Sequence, residues 1–355
     1  MRDVFAGVDC HKTIHAVVFV DSIGSELQAV VIANDSAGFE TALSAAQSFG
    51  CQVVWGLEGA GGYGRRFADF LVGKNATVFE VPGNVTKRHR KNATRPGKTD
   101  TIDAKAIAEA LIREQDRLPR YRQSEELLAL RLRYDQRDRL VRQRTVEVNR
   151  LKAAASMIDL KLEDDCTKSS ALGAVRAAAI ARQGQRHSVD AYVDEILIAL
   201  EAIERINVHV ARIERALIPF VEALAPELLE VRGVGAVTAA GLLGHAGDVR
   251  NLRNADAFAA KCGTAPVPCS SGKTSAVRVN TGGNRKLNRL LYTIATTQVR
   301  TDKHAGRIYY ERKRSEGHNS RAALRALKRQ LTKVVYRQLV KVHTRLQALP
   351  TNHAA

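Results

Sequence analysis

The sequence predicts an α/β domain with a mixed sheet, followed by a long helical spacer and a mostly helical third part. Three observations carry this reading. Short β-branched runs alternate with turn residues and helical stretches over the first hundred positions. Apolar residues then recur at near-heptad spacing in a long helical stretch. The last third is a set of basic helical stretches interrupted by a segment rich in glycine and serine.

Positions 3–9 (DVFAGVD), 15–20 (HAVVFV) and 27–33 (LQAVVIA) read as three strands of a meander, because β-branched residues pack on a pleated surface and turn-prone residues separate the runs. Ser36 is placed to cap a helix running to about Ser48, with Gly50 just past its end. Positions 52–58 (QVVWGLE) form a fourth strand, broken by Gly59-Ala60-Gly61-Gly62, and 65–72 (RRFADFLV) has helical spacing. A fifth strand at 76–81 (ATVFEV) ends at Pro82-Gly83. Positions 86–99 (TKRHRKNATRPGKT) read as a basic loop, and a helix follows over 100–114. Pro119 closes this first domain, 1–118.

The spacer, 119–220, begins with an Arg-rich helix over about 123–152. A second long helix over about 188–217 carries Val189, Tyr192, Ile196, Leu200, Ile203, Val210 and Ile213 at coiled-coil-like spacing. Positions 159–184 between them are less regular. The pair suggests an antiparallel hairpin serving as a spacer or oligomer contact. In the third domain, 221–355, short helices flank Arg232-Gly233-Val234-Gly235, another helix covers 254–261, and a loop spans 262–283. Basic helices then occupy 284–300 and 320–345.

Composition narrows the function. The 355 residues carry a net charge of +18, and the charge is segregated. Residues 1–86 hold 5 basic and 9 acidic side chains, whereas 231–355 hold 23 and 5. Such an imbalance self-repels unless a polyanion offsets it, so nucleic acid is the expected partner. No apolar run of about 18 residues is present, so no membrane span is expected. Five cysteines without a CxxC pair argue for reduced thiols rather than a disulfide framework or structural zinc. The first residues lack the basic flank and cleavage site of a signal peptide, so the expected location is cytoplasmic.

The sharpest chemical pattern is acidic. Asp9 ends the first strand, Glu58 ends the fourth, and Asp100 and Asp103 share one face at a helix start. A sheet that pairs strands one and four brings these acids together, and four carboxylates neutralise two divalent cations of the kind that assist phosphoryl displacement. Taken singly, Asp9 is also an ordinary strand end and Asp100 an ordinary helix cap. Asp9-Cys10-His11-Lys12-Thr13 lacks the glycine that a phosphate-binding turn of actin-like kinases needs. The Gly233–Gly235 turn fits a helix-hairpin-helix element, whose backbone N–H groups approach a phosphate. Cys269-Ser270-Ser271-Gly272-Lys273-Thr274 ends like a P-loop but has Val267 where the first glycine belongs, so an ATP site is not expected. Its serines read either as turn residues or, beside Lys273 and Arg278, as a hydroxyl nucleophile. His11, His89 and His245 show no ligand spacing and read as solvated or packed.

Val8-Asp9, Leu57-Glu58-Gly59-Ala60 and Lys98-Thr99-Asp100-Thr101-Ile102-Asp103-Ala104 resemble the DEDD motif of insertion-sequence transposases with a RuvC-like domain. That family includes Piv-type DNA invertases and bridge-RNA-guided recombinases. Segments 231–248 and 262–291 resemble its C-terminal transposase domain, in the expected order. The resemblance implies a RuvC/RNase H-like first domain in which Asp9, Glu58, Asp100 and Asp103 bind Mg2+, with Mn2+ able to replace it. It implies that Ser271, directly before Gly272, attacks DNA and forms a phosphoserine link; Ser270 is the adjacent alternative. It also implies double-stranded donor and target DNA, a structured noncoding guide RNA, and a homodimer or tetramer in a bacterial, nucleoid-associated setting. Gly233, Gly235, Lys273, Arg278, Arg285, Lys286 and Arg289 are the expected nucleic-acid contacts. The competing readings are a metal-dependent Holliday-junction nuclease and a non-catalytic nucleic-acid-binding scaffold.

Overall fold

The three opening β-branched runs form β1 (Val4–Cys10), β2 (Ile14–Asp21) and β3 (Glu26–Ala33). The computed structural model describes residues 3–90, 100–122, 124–162, 167–271, 274–278, 280 and 282–348. The chain divides into two units, Met1–Ser124 and Glu125–Ala355.

In the first unit the meander is followed by α1 (Ser36–Gln47), β4 (Val53–Glu58), α2 (Arg65–Gly73), β5 (Thr77–Glu80), α3 (Gly83–Arg90) and α4 (Asp100–Glu114). Asp35, rather than Ser36, caps α1, accepting from the Gly38 N–H at 2.9 Å. The sheet order is β3-β2-β1-β4-β5, and only β2 runs against its neighbours. This is a mixed-sheet α/β arrangement, as the pattern of runs predicts. Strand alternation assigns the two faces. Val4, Ala6 and Val8 of β1 join Trp55 and Leu57 of β4 in a core with Phe39 of α1 and Phe67 of α2. Phe5 and Val54 face the other way, against Ile107 and Leu111 of α4.

In the second unit α5 (Glu125–Met157) and α7 (His187–Leu224) pack as an antiparallel hairpin with α6 (Ser169–Ile180) beside its far end. Leu130 and Tyr134 share a core with Leu217 and Val221, while Leu151 and Ala155 share another with Ile196 and Leu200. Arg137 Nε donates to Glu214 Oε1 at 2.8 Å and Arg144 Nη1 to Asn207 Oδ1 at 2.7 Å between these ends. A helix of 33 residues spans about 50 Å, so the hairpin is a long arm. Its base is built into a helical core with α8 (Pro226–Leu229), α9 (Ala236–Ala246) and α10 (Ala255–Lys261). The chain continues as β6 (Val267–Ser271), β7 (Thr274–Arg278), α11 (Arg285–Arg300), α12 (Ala305–Ser315) and α13 (Ser320–Ala348). No helix among the described residues is long and apolar enough to cross a membrane.

Several expectations are corrected. The basic stretch from Thr86 is helical as far as Arg90, because Val85, Thr86 and His89 are buried and His89 Nε2 lies 2.8 Å from Glu114 Oε1 on α4; positions 91–99 lie outside the described residues. The stretch 159–184 contains the alanine-rich α6, whose Leu172 and Val175 join the distal core. The 262–283 segment contains the β6–β7 hairpin rather than loop alone. Helix α7 runs past the expected end near 217 and through Pro219, a residue that ordinarily costs about 3 kcal/mol inside a helix; Leu217 and Val221 are buried on either side of it. Polar α12 lacks an apolar stripe and was invisible to periodicity. It docks through Gly306, where an added Cβ would lie 2.4 Å from Gln298 Oε1.

Candidate functional site

The parity that sends Val8 and Leu57 into the core sends Asp9 and Glu58 to the opposite face. The two acids are register partners at adjacent ends of the parallel strands β1 and β4. Helix α4 crosses that face in backbone contact with β1. A Cβ on Gly7 would lie 2.0 Å from Ala104 O and 2.4 Å from Ala108 N, so only glycine admits the helix. Small residues Ala104 and Ala108 supply the helix side of this contact. The crossing brings the first turn of α4, with Asp100 and Asp103, over the strand ends. Gly83 opens α3 against Glu58, its missing Cβ leaving 2.6 Å to Glu58 Oε1.

The result is a crowd of acids. His11 Nε2 lies 3.1 Å from Asp9 Oδ2 and 3.5 Å from Asp100 Oδ1. Burial pushes the Asp9 carboxyl above its ordinary range; His11 works against this, and the charges of Asp103 and Glu58 push the same way as burial. Asp9 is 14% exposed, while His11 and Asp100 are about half exposed at 48% and 51%, so the crowd opens to solvent on one side. Ligand atoms of Asp9, His11 and Asp100 lie within 4.8 Å of one another. Carboxylate oxygens from Asp9 and Asp100, with Glu58 and Asp103 adding charge, suit a hard divalent cation, which would relieve the repulsion raising Asp9. The donor set therefore fits a divalent metal. Behind it, the partly buried Cys10 thiol is pushed up by burial and then by Asp9, so it is a packed side chain rather than a ligand. An added Cβ on Gly64 would stand 2.4 Å from its sulfur.

In the second unit, Ser271 ends β6 and pairs with Thr274, and Ser270 pairs with Ser275. Gly272 and Lys273, together with the side chains of Ser270, Ser271 and Arg278, lie outside the described residues. The foot of the hairpin is pinned. Asn284 N–H donates to Lys261 O at 2.6 Å, and Asn288 Nδ2 donates to Cys262 O and Gly263 O at 2.9 and 3.1 Å. Gly283, at φ +83°, has no room for a side chain, since its Cβ would meet Gly263 N and Lys261 O at 2.7 Å. Arg285, Lys286 and Arg289 lie on α11 just beyond. Lys286 is ion-paired with Asp135, which also accepts from His245 at 2.8 Å, and Arg289 is paired with Asp138. Arg285 is exposed.

The glycine turn between α8 and α9 is divided in its surroundings. Gly233, at φ +91°, packs on α11, where a Cβ would lie 3.1 Å from Ile294 O, and Gln298 Nε2 donates to Arg232 O at 2.9 Å. Gly235 is exposed at the start of α9, with open space around it.

Sequence reasoning set His11 aside as solvated or packed, yet it stands between Asp9 and Asp100. The available signal was its position two residues beyond a strand-end acid, on the same side of the turn. Asp135 and Asp138 were also missed as partners of the α11 cations; 151 residues separate each pair, and no local pattern links them.

A mixed sheet in the order β3-β2-β1-β4-β5, with acids gathered at the adjacent ends of its two central strands, is a layout able to hold a divalent cation. The chain belongs to the IS116/IS110/IS902 family of transposases: the DEDD transposase model of the IS110 type matches residues 6–160, and the IS116/IS110/IS902 transposase model matches 225–311. It is 26% identical to the uncharacterized 42 kDa protein of insertion element IS900 from Mycobacterium paratuberculosis, over 95% of this chain and 96% of that one. It is 28% identical to the uncharacterized 44.8 kDa protein of insertion element IS116 from Streptomyces clavuligerus, over 95% and 94%. Among solved structures, T. thermophilus RuvC in complex with a Holliday junction substrate is 13% identical, with a TM-score of 0.27 over 34% of this chain and 99% of that one.

Proposed function

We propose that this insertion-sequence transposase cuts and rejoins DNA through a phosphoserine link formed by Ser271, assisted by Mg2+ at the acidic centre and directed by a structured noncoding RNA. The observation that carries the reading is the convergence of Asp9 and Glu58 with the first turn of α4, in a chain of this family whose second unit holds a serine at the end of a pinned hairpin.

Asp9, Glu58, Asp100 and Asp103 would hold the metal, with Mn2+ able to take the place of Mg2+. Bound there, the cation supplies charge stabilisation to the scissile phosphate. The Ser271 hydroxyl attacks phosphorus; the Oγ–P bond forms as the P–O3′ bond breaks, the serine proton leaves to a base, and the departing 3′-oxygen takes up a proton. The link conserves the phosphodiester bond energy, so a 3′-hydroxyl reverses the step and rejoins DNA without ATP. Sequence choice rests with RNA–DNA pairing, because the basic side chains of the second unit address phosphates rather than base edges. A dimer or tetramer is supported by apolar side chains left open on the helical arm, Val146 on α5 and Ile198 and Val208 on α7.

The test is to incubate protein, Mg2+, guide RNA and target DNA and to look for a denaturation-resistant protein–DNA adduct. Wild type forms it; Ser271→Ala and Asp9→Ala do not. An adduct that survives Ser271→Ala but not Ser270→Ala moves the nucleophile by one residue. DNA cutting that needs the acids but neither serine makes water the nucleophile and overturns the recombinase reading in favour of a junction nuclease.

A further inference from the structure

A cleft of about 1100 Å³ opens between α5, α11 and α13 at the foot of the β6–β7 hairpin. Seven basic side chains line it against a single acid, Asp138. Four are paired: Arg142 and Arg289 with Asp138, Lys286 with Asp135, and Arg329 with Asp256. The other three, Arg285, Arg325 and Lys328, have no acidic partner among the described residues. Lys328 is partly buried, and its Nζ donates to a neutral acceptor, Asn288 Oδ1, at 2.8 Å. Burial, and then the charge of Arg325, push its ammonium below the ordinary lysine range. Arg329 Nη1 is buried without a hydrogen-bond partner. Desolvated, unpartnered donors beside like charges are destabilising, and an anion in the cleft relieves all three defects together.

The anion is constrained by shape. A cavity of this volume is about 13 Å across if spherical, close to the roughly 12 Å width of one major groove, so a whole duplex does not enter it. It stands at the upper end of the range of about 300–1,000 Å³ typical of ligand sites, roomy enough for a few nucleotides. Tyr292, 48% exposed, stands among the cations on α11. An aromatic ring among cations in a groove is the arrangement that takes unpaired bases and their backbone.

We infer that this cleft binds an unpaired stretch of polynucleotide, with phosphodiesters on Arg285, Arg325 and Lys328 and a base against Tyr292. The purpose rests on the strand-transfer reading above. Pro266 lines the cleft and directly precedes β6; five strand residues at about 3.4 Å each place Ser271 about 17 Å along the hairpin, within reach of a strand parted at that serine. The unpaired stretch is either DNA released at the cut or a single-stranded segment of RNA; both present the same phosphodiester chemistry.

The test uses the full chain and labelled oligothymidylate, oligouridylate and a duplex of equal length, titrated at several salt concentrations. In the triple variant Arg285→Ala, Arg325→Ala, Lys328→Gln, the slope of log affinity against log salt for single strands should fall by about 2, at about 0.7 per lost phosphate contact, and change less for the duplex. Tyr292→Leu should weaken single-strand binding by about tenfold or more. If Lys328→Gln prevents folding, the double variant at the two exposed arginines carries the test, with a drop of about 1.4. Tighter binding of oligothymidylate supports the cleft with DNA as occupant, and tighter binding of oligouridylate supports it with RNA. An unchanged single-strand slope in a variant that melts like wild type overturns the cleft, as does an equal loss on the duplex. Single-strand binding with no adduct overturns the serine mechanism alone; adduct formation with an unchanged slope overturns the cleft alone.

Discussion

Gly7 shows how one residue holds the acidic centre together. Its absent Cβ leaves the space in which α4 lies on β1, and the position of α4 in turn places Asp100 and Asp103. Gly7→Ala must push the helix away, at a cost of about 1–3 kcal/mol typical of overpacking, and should abolish the rise in melting temperature that Mg2+ gives the wild type. Gly50→Ala is the control: Gly50 sits at φ +63° with nothing within 4 Å, so it pays only backbone strain and should keep the metal response. A Gly7→Ala protein that melts and binds Mg2+ like wild type sinks this account. At this scale the sequence was informative about acids and silent about His11. Strand ends reveal Asp9 and Glu58 through a period of two, whereas His11, already beside Asp9, meets Asp100 only when α4 arrives.

At the scale of elements, the serine hairpin depends on its foot. Gly283 and Asn288 tie the segment to the end of α10, and the same contacts bury Cys262, whose thiol is pushed up to about 12 by burial. Gly283→Ala should open this foot. Cys262, inert to a thiol reagent near pH 8 in the wild type, should then become labelled at that position by mass spectrometry, and adduct formation should fall while the Mg2+ response of the first unit persists. Continued protection of Cys262 in the variant would show that the foot is held by something else. The two strands were missed because Val267–Ser271 and Thr274–Arg278 are short and rich in serine and threonine, with little alternation to read. Helix α7 was legible because an amphipathic pattern over many turns is hard to mistake, and α5 because its long Arg- and Leu-rich run holds neither Gly nor Pro.

For the whole molecule, pH reads out two sets of buried groups. His15, His245 and His343 are all lowered, first by burial. Their unfolded value is about 6.5, so the unfolded chain binds more protons below that pH, and stability complete above it declines as pH falls from about 6.5 toward the lowered folded values. Asp135, Asp248 and Glu227 are also lowered: burial raises each, but hydrogen bonds from Lys286 and His245, from Arg250, and from Arg345 respectively outweigh it. Their contribution is present above about pH 4 and is lost as pH falls further. Denaturant midpoints should therefore drop between pH 8 and 5.5, and again toward pH 3.5. His15→Phe, whose ring would keep the stacking on Phe39 and Phe67, should shrink the first step. A midpoint flat from pH 8 to 5.5 would contradict this assignment.

What the sequence determined by itself was periodic and local: the alternation that puts Asp9 and Glu58 on one face, the long helices, and the segregation of charge that points to a polyanion. Tertiary structure alone decided the crossing of α4 over Gly7, the pairing of Lys286 and Arg289 with acids 151 residues away, and the cleft that leaves Arg285, Arg325 and Lys328 without acid partners among the described residues. The physical reason is that strand and helix periods are properties of neighbouring residues along the backbone. Close approach, ion pairing and cavity shape are set by which distant elements pack together, and no window of sequence contains both partners.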